Sequence, residues 1–76
     1  MRYFVRAAWD AEAAVFFVEA TNIPGLSTEA ENPSELERKL VAIIPELLEA
    51  NNCELPESVK ITYHQRESEI RIPVAA

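Results

Sequence analysis

Residues 31–52, ENPSELERKLVAIIPELLEANN, carry the pattern the remaining chain must pack against. Asn32 is a good N-cap, Pro33 suits the first helical position because its missing N–H would be unpaired there anyway, and Glu35 completes an Asn-x-x-Glu capping box. Leu36, Leu40, Ile43, Ile44, Leu47 and Leu48 recur at intervals of three and four, which lines them along one side of a helix. Glu35, Glu37, Arg38, Lys39, Glu46 and Glu49 mostly point elsewhere, and Glu35 is expected to pair with Lys39 one turn on. Pro45 predicts a kink, yet the apolar spacing runs through it without a change of phase, so the helix continues. Asn51 and Asn52 suit a left-handed C-terminal cap, and Leu55-Pro56 prevents resumption.

Outward from the helix, the chain reads as strands. Arg2 to Trp9 alternates, with Tyr3, Val5, Ala7 and Trp9 on the expected core face and Arg2, Phe4, Arg6 and Ala8 on the other. Asp10 to Ala13 is a short connection, and Ala14 to Ala20 then places Val15, Phe16, Phe17 and Val18 in succession. That second strand is apolar on both faces, and a single helix covers only one of them, which predicts a homodimer or larger assembly. Val15 and Phe17 are expected to face away from the helix. Pro24-Gly25-Leu26 marks a tight turn around the sole glycine, followed by a short third strand over Leu26 to Ala30. Val59, Ile61 and Tyr63 alternate with Lys60, Thr62 and His64 as a fourth strand. Ile70, Ile72 and Val74 alternate with Arg71; this last segment is either a fifth strand folded back as a hairpin or an arm that adds to another subunit's sheet. The reading is an α+β domain over residues 1–76, an antiparallel sheet in the order β-β-β-α-β with that optional fifth strand and one helix on one face.

Seventy-six residues make one domain, and 49% apolar content is more than a small sheet and one helix hide comfortably. No apolar run approaches the roughly 18 residues of a membrane span, and the N-terminus has no signal-peptide core, so a cytoplasmic protein is expected, with no membrane contact. Cys53 has no disulfide partner, and one cysteine with one histidine, His64, cannot form a zinc cluster. The net charge is −6, and residues 31–54 hold six Glu against Arg38 and Lys39, so non-specific nucleic-acid binding is disfavoured and a basic protein would be attracted. No cofactor is implied. Asp10 and Glu12 belong to a turn, Glu19 to the far end of a strand, and Glu46 and Glu49 to a helix surface, so no paired carboxylates suggest a metal nuclease, and no enzyme activity is expected.

Three clusters carry a resemblance: Trp9-Asp10 with Glu12-Ala13 and the apolar run behind it; Ile23-Pro24-Gly25-Leu26 with Thr28-Glu29-Ala30; and Pro45-Glu46-Leu47-Leu48-Glu49-Ala50-Asn51. Over residues 3–52 the chain resembles the short HicB-like proteins, bacterial domains mostly of unknown function. The resemblance implies a three-stranded antiparallel sheet, a helix across it and a further strand, a partial ribonuclease-H-like fold. In HicB-type antitoxins such a domain binds a small basic toxin that cleaves messenger RNA, while a separate domain binds operator DNA. The sequence ends at Ala76 without such a domain, so DNA binding is not expected.

The candidate surfaces are therefore a subunit or partner interface of Trp9, Val15, Phe17, Ile70 and Ile72, and an RNA-contacting stripe of Arg2, Phe4 and Arg6. The expected function is a non-enzymatic, antitoxin-type protein-binding module. The alternatives are a stand-alone structural or regulatory homo-oligomer and an RNA-binding module, the last disfavoured by the charge.

Overall fold

The computed structural model describes residues 2–73. The chain runs β1 (Phe4–Asp10), β2 (Val15–Thr21), β3 (Glu29–Ala30), α1 (Pro33–Ala50), β4 (Ser58–Thr62) and β5 (Glu67–Arg71). The strands form one sheet in the order β3-β2-β1-β4-β5, so β1 is central.

α1 begins as its sequence requires. Asn32 has extended backbone angles, and its Oδ1 accepts from the Glu35 amide at 2.9 Å. Glu35 pairs with Arg38 at 3.3 Å rather than with Lys39, whose Nζ instead donates to the Glu29 carbonyl at 2.8 Å and ties the helix to β3. The helix continues through Pro45 to Ala50. Beyond its C-cap, Asn52 takes the left-handed conformation, φ 56°. The Asn52 amide donates to the Glu49 carbonyl and the Cys53 amide to that of Leu48, the paired bonds of a Schellman motif. Cys53 packs against the core at the position where that motif takes a hydrophobic contact.

Leu36, Leu40, Ile44 and Leu48 are fully buried against Val5, Val59, Ile61, Ile70 and Ile72. Each of these large side chains contributes roughly 1.5–3 kcal/mol by leaving water. Ile70 and Ile72 therefore belong to the protein's own core, 5% and 4% exposed, which corrects their reading as a subunit contact. They are drawn in because β5 folds back on β4 over Ser58–Arg71 to Thr62–Glu67, which settles the open alternative for residues 67–71; Val74 lies outside the described residues.

Three further features differ from the sequence reading. The sheet is mixed, because β4 pairs with β1 in parallel, Phe4 beside Lys60 and Arg6 beside Thr62. A helix between two strands is the crossover that lets the chain return in the same direction. The third strand shrinks to Glu29–Ala30, since Leu26 is buried in the core and its amide bonds the Ile23 carbonyl across the Pro24-Gly25 turn. Gly25 has φ +75°, as that turn demands. Finally, the β1–β2 register slips by one between Ala7–Val18 and Arg6–Ala20, so Glu19 is the extra residue of a β-bulge.

Candidate functional site

Registers and strand alternation sort the side chains by face. Ala7 and Trp9 stand opposite Val18 and Phe16 on the helix side, and both Phe16 and Val18 pack against the core. The other face holds Phe4, Arg6, Ala8 and Asp10 of β1, Val15 and Phe17 of β2, Lys60 and Thr62 of β4, and Glu67, Glu69 and Arg71 of β5. No element of the described residues crosses this second face. Val15 and Phe17 are half-buried there, facing away from the helix as expected. Phe17 lies beside Glu29 of β3, and Val15 lines a cleft with Glu29, Glu31, Asn32, Glu35 and Lys39, so the apolar strip has an acidic border.

The open face is divided. Arg6 and Phe4, 43% exposed, adjoin Lys60, which pairs with Glu67 at 3.8 Å. Arg2 is exposed at the entrance to β1, where its carbonyl accepts from Asn22 Nδ2 at 2.8 Å while Asn22 Oδ1 accepts from the Phe4 amide at 2.9 Å. Asn22 thus extends the pairing of β1 by one side chain, a role its sequence position does not advertise.

A second feature lies beside β1. β4 covers only Phe4 to Arg6, and the chain then turns back, the Tyr63 amide donating to the Arg66 carbonyl at 2.7 Å. Among the described residues no strand pairs with the outer edge of β1 from Ala7 to Asp10, which borders a cleft of about 470 Å3 lined by Arg6, Ala7, Ala8, Trp9, Glu19, Tyr63 and His64. Trp9, expected on the core face, is 50% exposed because the core stops short of it; it leans on Phe16 at 4.8 Å between ring centroids. Phe16 meets Tyr63 edge-on at 5.9 Å, and the Arg66 guanidinium lies over Tyr63 at 4.9 Å.

Glu37 fastens this corner to the helix. Tyr63 Oη donates to Glu37 Oε2 at 2.7 Å and Ser68 Oγ donates to Oε1 at 2.9 Å. Burial, then the bond to the Glu37 carboxylate, push the Tyr63 phenol well above its ordinary value, against a smaller lowering by Arg66. Among the described residues no group of three or more His, Cys, Asp or Glu is placed to hold a metal ion. Asp10 serves its own turn, Oδ1 accepting from the amides of Glu12 and Ala13. No helix among the described residues is long and apolar enough to cross a membrane.

The described residues define a small α+β domain, a helix behind a mixed five-stranded sheet whose other face none of their elements covers. The chain belongs to the family described as a domain of unknown function, DUF1902, which matches residues 2–74. Among solved structures it is similar to the hypothetical protein TTHA1013 from the extremely thermophilic bacterium Thermus thermophilus. The two are 37% identical with a TM-score of 0.69, over 83% of this chain and 94% of that one. Comparison with curated proteins found no match.

Proposed function

We propose that this domain is a non-enzymatic protein-binding module of the HicB-like antitoxin type, cytoplasmic, which engages a small basic protein through the open face of its sheet. The observation that carries the reading is the half-buried Val15–Phe17 strip with Glu29, Glu31 and Glu35 along its border. An apolar centre with a charged rim is how protein interfaces are built, and an acidic rim on a chain of net charge −6 selects a basic partner. The resemblance in the Trp9-Asp10, Ile23-Pro24-Gly25-Leu26 and Pro45–Asn51 clusters supports the same reading and suggests a partner that cleaves messenger RNA. Such a module acts by covering its partner's active site and needs no catalytic group of its own.

The test is co-expression with a small basic protein encoded by a neighbouring reading frame. The expected result is a co-purifying complex and relief of the growth arrest caused by that protein, both lost in Phe17→Glu. The reading is overturned if no neighbouring frame encodes such a protein, or if the arrest persists in the presence of this chain.

A further inference from the structure

β5 ends the sheet, so one of its two edges has no neighbouring strand among the described residues. Hydrogen-bond parity shows which groups lie along that edge. The Ile72 amide donates to the Glu57 carbonyl and the Tyr63 amide to that of Arg66. In the β4–β5 register, Arg66, Ser68, Ile70 and Ile72 therefore turn their main-chain groups toward β4, and Glu67, Glu69 and Arg71 turn theirs outward. Such a row of open N–H and C=O groups is a template for another strand.

The side chains select the strand. Glu69 and Arg71 are exposed, and neither has an ion-pair partner among the described residues, whereas Glu67 is engaged by Lys60 at 3.8 Å. Charges of one sign would guard the edge against association; these two are opposite. When two copies of a strand pair antiparallel about a two-fold axis perpendicular to the sheet, one residue lies beside its own copy and each face stays on its own side. Centred on Ile70, Glu69 falls opposite Arg71 of the second copy on both sides of the axis. Both residues turn outward, so each such pair exchanges its main-chain hydrogen bonds as well as matching its charges. The neighbouring registers are worse. Centring on Ser68 opposes Glu67 to Glu69, centring on Glu69 opposes that acid to itself, and centring on Arg71 opposes two cations and sets Glu69 against Pro73, which has no N–H. Within one chain Lys60 already stands opposite Glu69 across β4 and β5. The favoured register extends that row to Arg71 of the copy, alternating in sign.

We infer that the free edge of β5 receives β5 of a second copy of this chain, joining two sheets through an antiparallel β5–β5 pair centred on Ile70. The contact is made by main-chain groups with the side chains of Glu69 and Arg71; Ile70 and Ile72 keep their side chains in their own core. This surface is a strand edge and not the open face, so it stands or falls separately from the partner-binding reading.

The experiment is sedimentation over a concentration series, with the folding of each variant checked by circular dichroism. The wild type is expected to dimerise, and Phe17→Glu to leave the dimer intact. Glu69→Arg and Arg71→Glu, each setting like charges opposite one another twice, are each expected to weaken it by about tenfold or more. Mixing those two variants restores opposite charges at both pairs, so the mixture is expected to form a heterodimer. Amide hydrogen exchange on the wild type supplies a readout that needs no variant: the amides of Glu67, Glu69 and Arg71 are expected to gain protection as concentration rises. A wild type that stays monomeric, a dimer lost in Phe17→Glu, a dimer indifferent to both charge reversals, or a mixture that does not associate overturns the inference. Should a charge variant fail to fold, the exchange measurement decides, and Glu69 and Arg71 amides whose protection is independent of concentration overturn it.

Discussion

At the scale of single residues, backbone conformation sets two opposite expectations. Gly25 has φ +75° in a turn whose third position requires it, and a Cβ built there would meet only Leu47 Cδ2, at an ordinary 3.6 Å. The cost of Gly25→Ala is therefore one of backbone strain rather than of crowding, on the order of 1 kcal/mol. Ala14 occupies the same left-handed region, φ 56°, at the end of the turn between β1 and β2, yet it carries the Cβ that the region penalises. Ala14→Gly is expected to raise stability by about 0.5 kcal/mol, the relief of strain exceeding glycine's extra freedom in the unfolded chain. Urea unfolding checks both: the midpoint falls for Gly25→Ala, rises for Ala14→Gly, and the slope is unchanged.

At the scale of elements, the join between α1 and the β4–β5 hairpin rests on Glu37, and its chemistry makes it sensitive to alkali. In the folded protein Tyr63 is raised above its ordinary value of 10.0, first by burial and then by its bond to the Glu37 carboxylate. A group raised on folding contributes stability that is fully present below the unfolded pKa and lost as pH rises above it. Stability is therefore expected to decline from about pH 10 upward, and the decline to be shallower in Tyr63→Phe, which carries no proton to lose. Below pH 9 that variant should be less stable by about 1 kcal/mol, the net worth of one hydrogen bond to a carboxylate that keeps Ser68. Thermal unfolding at several pH values measures both effects; parallel pH profiles for the two chains would remove Tyr63 from the account. None of this was legible from sequence, because Tyr63, Ser68 and Glu37 meet only after β5 has folded back. The elements themselves were legible wherever a local rule spoke alone. Asn32 and Pro33 opened the helix, Asn51-Asn52 closed it, and alternation assigned Val15 and Phe17 to the face away from it. Where tertiary packing competed with the local rule, the reading failed: Leu26 left the third strand for the core, and Ile70 and Ile72 looked like contact residues only until β5 had a neighbour.

At the scale of the whole molecule, the question is whether the basic stripe of Arg2, Phe4 and Arg6 outweighs the field around it. Phe4 is 43% exposed, and Arg6 shares its face of the sheet. The neighbourhood argues otherwise. Lys60, the next cation along, is drawn to Glu67 at 3.8 Å, and Glu69 and Glu29 stand on the same face of the sheet. The chain as a whole carries 13 acids against 7 Lys and Arg. Nucleic-acid affinity that is not sequence-specific comes from cations displacing the counterions of phosphate, so four exposed cations, Arg2, Arg6, Lys60 and Arg71, in an acidic field leave little to drive it. Single-stranded RNA is therefore expected to show no electrophoretic shift with this protein even at about 50 mM salt, where such attraction is strong. A shift that weakens steeply with added salt and disappears in Arg6→Ala would reverse the argument: Arg2, Phe4 and Arg6 would then form an RNA surface, and the open face would belong to nucleic acid rather than to a basic protein.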